Sequence, residues 1–102
     1  MPKLDPPSRY PAVVRDLSLL FASDTSVGAA LEAIQAEKPP IVRSVRVFDL
    51  YQGPDLPPGS KSLAFRVVMQ HTEKTLTDAE ADAARDELVA LLGRKFSATL
   101  RT

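Results

Sequence analysis

Lys61-Ser62-Leu63-Ala64-Phe65-Arg66-Val67-Val68-Met69-Gln70 alternates between two kinds of side chain. Leu63, Phe65, Val67 and Met69 fall on one side, and Ser62, Ala64, Arg66, Val68 and Gln70 on the other. A period of two over such a run marks a β-strand with one face turned to a core. The strand is expected from Lys61 to His71. Upstream, Gln52-Gly53-Pro54-Asp55-Leu56-Pro57-Pro58-Gly59-Ser60 is a loop dense in turn residues. Before it, Ile41 to Tyr51 is β-branched and aromatic, which gives a second strand. Its alternation is broken: Phe48 and Leu50 share one face and Asp49 and Tyr51 the other, yet Val45 and Val47 then fall on the Tyr51 side. A bulge near Arg46 reconciles the two halves.

The flanks complete the pattern. Leu17, Leu19 and Phe21 alternate through a first strand expected over Asp16 to Ala22. Ser23-Asp24-Thr25-Ser26 offers helix N-caps, and Val27, Ala30, Leu31 and Ile34 then make one helical stripe. Pro39-Pro40 stops that helix. Downstream, Thr77-Asp78-Ala79-Glu80 is a capping box with Leu76 placed as a hydrophobic staple. Ala81, Ala84, Leu88 and Leu91 form the stripe of the second helix. Gly93 suits a left-handed C-cap, after which Phe96, Ala98 and Leu100 alternate in a short last strand. The order is β-α-β-β-α-β. Because each helix has a single apolar stripe, both helices lie on one face of the sheet. With right-handed crossovers this is an α+β ferredoxin-like sandwich, a four-stranded antiparallel sheet with two helices on one face. The other face is left open and carries Asp16, Ser18, Asp49, Tyr51, Ser62, Ala64 and Arg66. Residues 1–14, with Pro2, Pro6, Pro7 and Pro11, read as an extended arm; residues 15–102 form the domain.

Composition narrows the class. A chain of 102 residues with 44% apolar side chains supports one core. There are no cysteines, which excludes disulfides, thiolate metal sites and cysteine nucleophiles and suits the cytoplasm. No apolar run is long enough for a membrane span, and the N-terminus is not a signal peptide. Lys plus Arg and Asp plus Glu are equal at 13 each, so general phosphate attraction is weak. The charges are segregated nonetheless. Lys38, Arg43, Arg46, Lys61 and Arg66 outnumber Asp49 and Asp55 from Lys38 to Arg66, whereas acids dominate from Glu73 to Glu87. One segment can meet an anion while the other faces away.

No catalytic constellation appears: there is no glycine-rich phosphate loop, no Walker sequence, no G-x-S-x-G and no H-E-x-x-H. His71, at a strand end, reads as structural or solvated. Asp16 and Asp49 could form an acid–base pair across the sheet, but ion pairs with Arg15, Arg43 or Lys61 are the plainer reading. Lys61 to Val68 matches the RNA-recognition-motif pattern at Lys61, Ala64 and Phe65 but has Leu63 where a stacking aromatic belongs. Phe65 therefore belongs to the core. Tyr51 is the remaining base platform, with packing against the neighbouring loop as the alternative for its ring.

These residues, taken together, resemble the ferredoxin-fold anticodon-binding domain of phenylalanyl-tRNA synthetases. The resemblance rests on Ser8-Arg9-Tyr10-Pro11-Ala12-Val13-Val14-Arg15-Asp16-Leu17, Phe48-Asp49-Leu50-Tyr51-Gln52-Gly53, Pro58-Gly59-Ser60-Lys61-Ser62-Leu63-Ala64-Phe65-Arg66 and Thr75-Leu76-Thr77-Asp78. It runs from about Ser8 to Arg101. It implies a non-catalytic module at the end of the β subunit of an (αβ)₂ ATP-dependent aminoacyl-tRNA ligase. Its partners would be the anticodon stem-loop of phenylalanine tRNA, the rest of the β subunit and the α subunit, with no membrane. It implies no cofactor for the domain; ATP and magnesium belong to the full synthetase. In the family the tyrosine of the F-D-x-Y motif stacks on the first anticodon base, and the matching residue is Tyr51. The serine of K-S-L-A-F lies beside the anticodon, and the matching residue is Ser62. Asp49, Lys61, Ala64 and Arg66 follow as neighbours on the same face. A chain starting at Met1 just ahead of the domain reads as an excised domain or a free-standing homologue, neither able to adenylate phenylalanine. Two other readings of the fold are a protein-interaction or regulatory module without RNA and a small acyl-phosphate hydrolase. The latter lacks the glycine-rich anion loop it would need.

Overall fold

The structure, a computed structural model, describes residues 10–101. The elements follow the expected order: β1 (Val13–Ala22), α1 (Val27–Glu37), β2 (Val42–Tyr51), β3 (Ser60–Met69), α2 (Asp78–Phe96) and β4 (Thr99–Leu100). The strands form one antiparallel sheet in the order β2-β3-β1-β4, so β3 and β1 are central and β2 is an edge. This is the ferredoxin-like α+β arrangement.

The alternation of β3 sets the two sides. Leu63, Phe65, Val67 and Met69 are buried with Leu17, Leu19 and Phe21 of β1 and Val42 and Val45 of β2. Against them pack Ala30 and Ile34 of α1 and Ala81, Ala84, Leu88, Leu91 and Leu92 of α2. Both helices thus cover the same side, and among the described residues the other carries no helix. Phe65 sits 6.0 Å from Phe21, centroid to centroid, inside this core, as its alternation requires.

The helices begin where short polar side chains can satisfy their free amides. Ser26 Oγ accepts from the Ala29 amide at 2.9 Å. At α2 the capping box is complete: Thr77 Oγ1 accepts from the Glu80 amide at 3.1 Å, and Glu80 Oε1 accepts from the Thr77 amide at 3.0 Å. Leu76, just before it, is buried in the core. The two helices are tied at the opposite end, where Glu37 of α1 pairs with Arg94 at 2.8 Å and Lys95 at 2.9 Å of α2.

Four local expectations are corrected. β1 starts at Val13, three residues before Asp16, because Val13 and Val14 pair with Met69 and Val68. The extended arm therefore ends sooner than residue 14, and its residues 1–9 lie outside the described residues. α2 does not end at Gly93. It runs to Phe96, and Ser97 takes the left-handed cap at φ 57°. The extra turn swings Phe96 onto Phe21, with ring centroids 6.0 Å apart. Phe96 therefore belongs to the helix, and β4 is reduced to Thr99 and Leu100. Finally, β2 has two register shifts, one between Val42 and Ser44 and one between Val47 and Asp49. The second makes Phe48 the inserted residue, two places beyond Arg46.

Candidate nucleic-acid interface

The Phe48 bulge decides which side chains share the helix-free face. Before it, Val45 and Val47 oppose Val67 and Phe65 and point to the core, while Arg46 opposes Arg66. After it, Asp49 opposes Ala64 and Tyr51 opposes Ser62. Without an inserted residue, Val45 and Val47 would stand on the same side as Tyr51 and lose their core contacts. The insertion also turns Phe48 away from Leu50 and onto the helix-free face. There the Arg66 guanidinium carbon lies 4.4 Å from its ring centroid.

The face therefore reads as three rows across the sheet. Tyr51 and Ser62 occupy one end, Asp49 and Ala64 with Ser18 the middle, and Arg46, Phe48, Arg66 and Asp16 the other end. Five of the six site residues inferred from sequence are brought together here. Lys61 is not. It opposes Phe21 and so stands on the helix-covered side, where it is only 8% exposed. The alternation that puts Ser62 on the helix-free side puts its neighbour on the other, and a lysine can lay its methylene stem along the end of a core.

Tyr51 is held at the mouth of the loop that follows it. The residue is 38% exposed. The hydroxyl donates to Asp55 Oδ1 at 2.5 Å. That contact raises the tyrosine pKa above 10.0, through the hydrogen bond first and burial second, and lowers that of Asp55. Gly53 lets the ring fold back: a side-chain carbon at that position would overlap the tyrosine hydroxyl and its ring carbon. The loop closes through Gly59, whose φ of 78° is the left-handed region that glycine reaches without strain. Just after β4, Arg101 stands over the Tyr51 ring at 5.4 Å. It lies 3.7 Å from Asp55 Oδ2 and donates to Ser62 Oγ at 3.4 Å. Ser62 is only 3% exposed, so its hydroxyl becomes available to a ligand only when neighbouring side chains, Arg101 among them, rearrange. Both sequence readings of Tyr51 thus have a counterpart: the ring packs on the loop and still offers surface to solvent.

At the far end, Asp16 accepts from Arg66 Nε and a terminal nitrogen at 2.9 Å each. This fork holds the Asp16 carboxyl below the usual range. Asp16 therefore finds its partner in Arg66 rather than in Arg15, Arg43 or Lys61. Arg15 crosses instead to α2, 3.1 Å from Asp78 and 3.8 Å from Asp82. Asp49 and Asp16 stand on opposite sides of β3, about two strand spacings or ~10 Å apart, too far for an acid–base pair. His71 Nδ1 accepts from the Glu73 amide at 3.4 Å, a contact within a turn. Among the described residues no helix is long and apolar enough to cross a membrane.

Sequence reasoning missed Phe48, Asp55 and Arg101 as parts of this face. Asp55 was legible in principle as a carboxylate four residues after Tyr51 in a turn-rich loop. Phe48 was hidden by the bulge and Arg101 by the truncated last strand.

Known proteins are similar to this chain in sequence. Residues 8–101 match the family model described as the ferredoxin-fold anticodon binding domain. The chain is 42% identical over its full length to the phenylalanine–tRNA ligase β subunit of Nitrosospira multiformis, covering 13% of that protein. It is 45% identical over 92% of its length to the β subunit of Thiobacillus denitrificans, and 39% identical over 97% to that of Geobacillus kaustophilus, covering 12% of each. The chain thus spans about an eighth of the length of these relatives.

Proposed function

The chain belongs to the ferredoxin-fold anticodon-binding domain family, and from that premise we propose that it holds the anticodon stem-loop of phenylalanine tRNA within a phenylalanine–tRNA ligase, catalysing nothing itself. The observation that carries this is the placement of Tyr51. Its half-exposed ring stands on the helix-free face in the row of Ser62, at the position that matches the family's stacking tyrosine.

The chemistry suits an unpaired loop. Sequence in RNA is read from bases splayed out of the stack, laid on aromatic rings and hydrogen-bonded along their edges. Tyr51 supplies the ring. Once Arg101 swings aside, Ser62 supplies a hydroxyl that donates or accepts, and Arg101 is free to meet a phosphate. Asp49, one row away, can only accept, so it favours a base edge bearing N–H groups. Ala64 adds a flat floor between them. The acidic surface of α2 lies on the other side of the sheet, where it does not oppose the RNA. The α subunit, the rest of the β subunit, ATP and magnesium enter this reading only through the larger ligase.

The test is a titration of the isotopically labelled chain with a phenylalanine anticodon stem-loop, followed by amide NMR. Shifts gathered on β2, β3 and the loop of residues 53–55 support the reading. Shifts confined to α1 and α2 overturn it.

A further inference from the structure

We propose that the Phe48 end of the helix-free face is a second nucleotide subsite, taking an unpaired base on the Phe48 ring and the backbone phosphate beside it on Arg46. The proposal rests on the RNA-binding reading above and extends it to a part of the face that neither Tyr51 nor Ser62 reaches.

Three observations carry it. First, Phe48 is 45% exposed on a strand whose bulge turns it out of the core. Val47, the residue before it, packs against that core. A ring left in water beside an otherwise well-filled core is available as a stacking surface. Second, the Arg66 guanidinium lies 4.4 Å from the ring centroid and is locked there by both oxygens of Asp16. An arginine held over one face of an aromatic ring extends the surface on which a base can rest. Third, the charges do not balance. Arg46 and Arg66 stand directly opposite each other, an arrangement that costs stability between like charges. Asp16 compensates Arg66, leaving two positive charges against one negative in that row. The surplus sits on exposed Arg46, beside the ring. An anion next to a flat ring is what a nucleotide offers.

Spacing fits one strand running along the face. From the Ser62 row to the Arg66 row is four residues of β3, about 13 Å at the usual rise of a strand. Two bases stacked on each other lie much closer, about 3.4 Å apart along a helix. The two subsites therefore take bases that are splayed apart, with Asp49 and Ala64 facing whatever lies between.

The sequence contains no tryptophan, so Phe48→Trp keeps a stacking ring and installs a single tryptophan as reporter. Its emission is expected to be quenched by the phenylalanine anticodon stem-loop and by single-stranded RNA, but not by a fully paired RNA duplex. Phe48→Ala should weaken stem-loop binding by about 5- to 150-fold, the usual range for losing one stacked base. Arg46→Gln should lower the slope of log affinity against log salt by about 0.7, one phosphate contact on a single strand. If Tyr51→Ala loses affinity while Phe48→Ala binds like the parent, the second subsite is overturned and the anticodon reading stands. If the parent binds no stem-loop, both fall. Equal quenching of the Phe48→Trp chain by the paired duplex, or none by the single strand, also overturns the subsite, and does so even if Phe48→Ala fails to fold.

Discussion

The Tyr51 hydroxyl donates to the Asp55 carboxylate at 2.5 Å, so the ring proposed to receive a base is aimed by the loop behind it. The tyrosine is set in place before any RNA arrives, and the loop residues become positioning residues for the site.

Gly53→Ala tests that aiming. The new methyl group would overlap the tyrosine hydroxyl. The obstacle is the far end of a long exposed side chain, so the ring should swing away while the fold stays intact. Thermal unfolding should change by no more than about 0.5 kcal/mol, as for other surface changes. Stem-loop affinity should nevertheless fall, and the tyrosine pKa should return toward 10.0.

Asp55→Asn tests the electrostatics of the same contact. The carboxylate raises the Tyr51 pKa through its hydrogen bond, and Arg101 opposes it. Removing the charge should bring ionisation of Tyr51 to lower pH, read by ultraviolet titration in a Tyr10→Phe background, since the chain has two tyrosines. The linkage has a definite sign. The raised Tyr51 pKa stabilises the fold below pH 10.0 and the gain is lost as pH rises through the folded value; the lowered Asp55 pKa stabilises above 3.8 and is lost as pH falls through its folded value. Both margins should shrink in Asp55→Asn.

Acid should weaken the start of α2. Lys74 and the Thr77 amide hold the Glu80 carboxyl at about 2, below its ordinary 4.5. The unfolded chain therefore binds this proton first. The contribution of Glu80 is complete above pH 4.5 and should disappear as pH falls toward 2. Glu80→Gln should flatten the stability profile in that window. Thr77→Ala, which removes the cap itself, should cost about 1 kcal/mol at neutral pH, or roughly 4–8 °C in Tm for a domain of this size.

Phe65 separates core from platform. It is buried on the helix-covered side beside Phe21, so Phe65→Ala should cost about 3–5 kcal/mol of stability. It should lower RNA binding only through unfolding. Tyr51→Ala should do the reverse, leaving Tm nearly unchanged while affinity drops.

The sequence made the sheet legible wherever a strand kept strict alternation. Leu63, Phe65, Val67 and Met69 read correctly as core because β3 is central and regular, and the capping box at Thr77 read correctly because its signal is local. What failed was non-local. The Phe48 bulge is a matter of register with β3, and no local pattern says where an inserted residue sits. Gly93 looked like a helix end because glycine favours the left-handed cap, yet the pull of Phe96 toward Phe21 extended α2 and shortened β4. The burial of Ser62 was hidden for the same reason, since one of its contacts, Arg101, comes from far along the chain. The residues of the candidate site were thus readable by face, and Lys61 was misplaced only because motif adjacency outweighed alternation.

The central claim is that an unpaired base stacks on the Tyr51 ring. It is tested most directly by comparing the affinity of a phenylalanine anticodon stem-loop for the parent chain and for Tyr51→Ala at one fixed salt concentration. Stacking predicts a loss of about 1–3 kcal/mol with the fold unchanged. Equal affinity, with the variant still folded, would contradict the account and return the ring to a packing role against its loop.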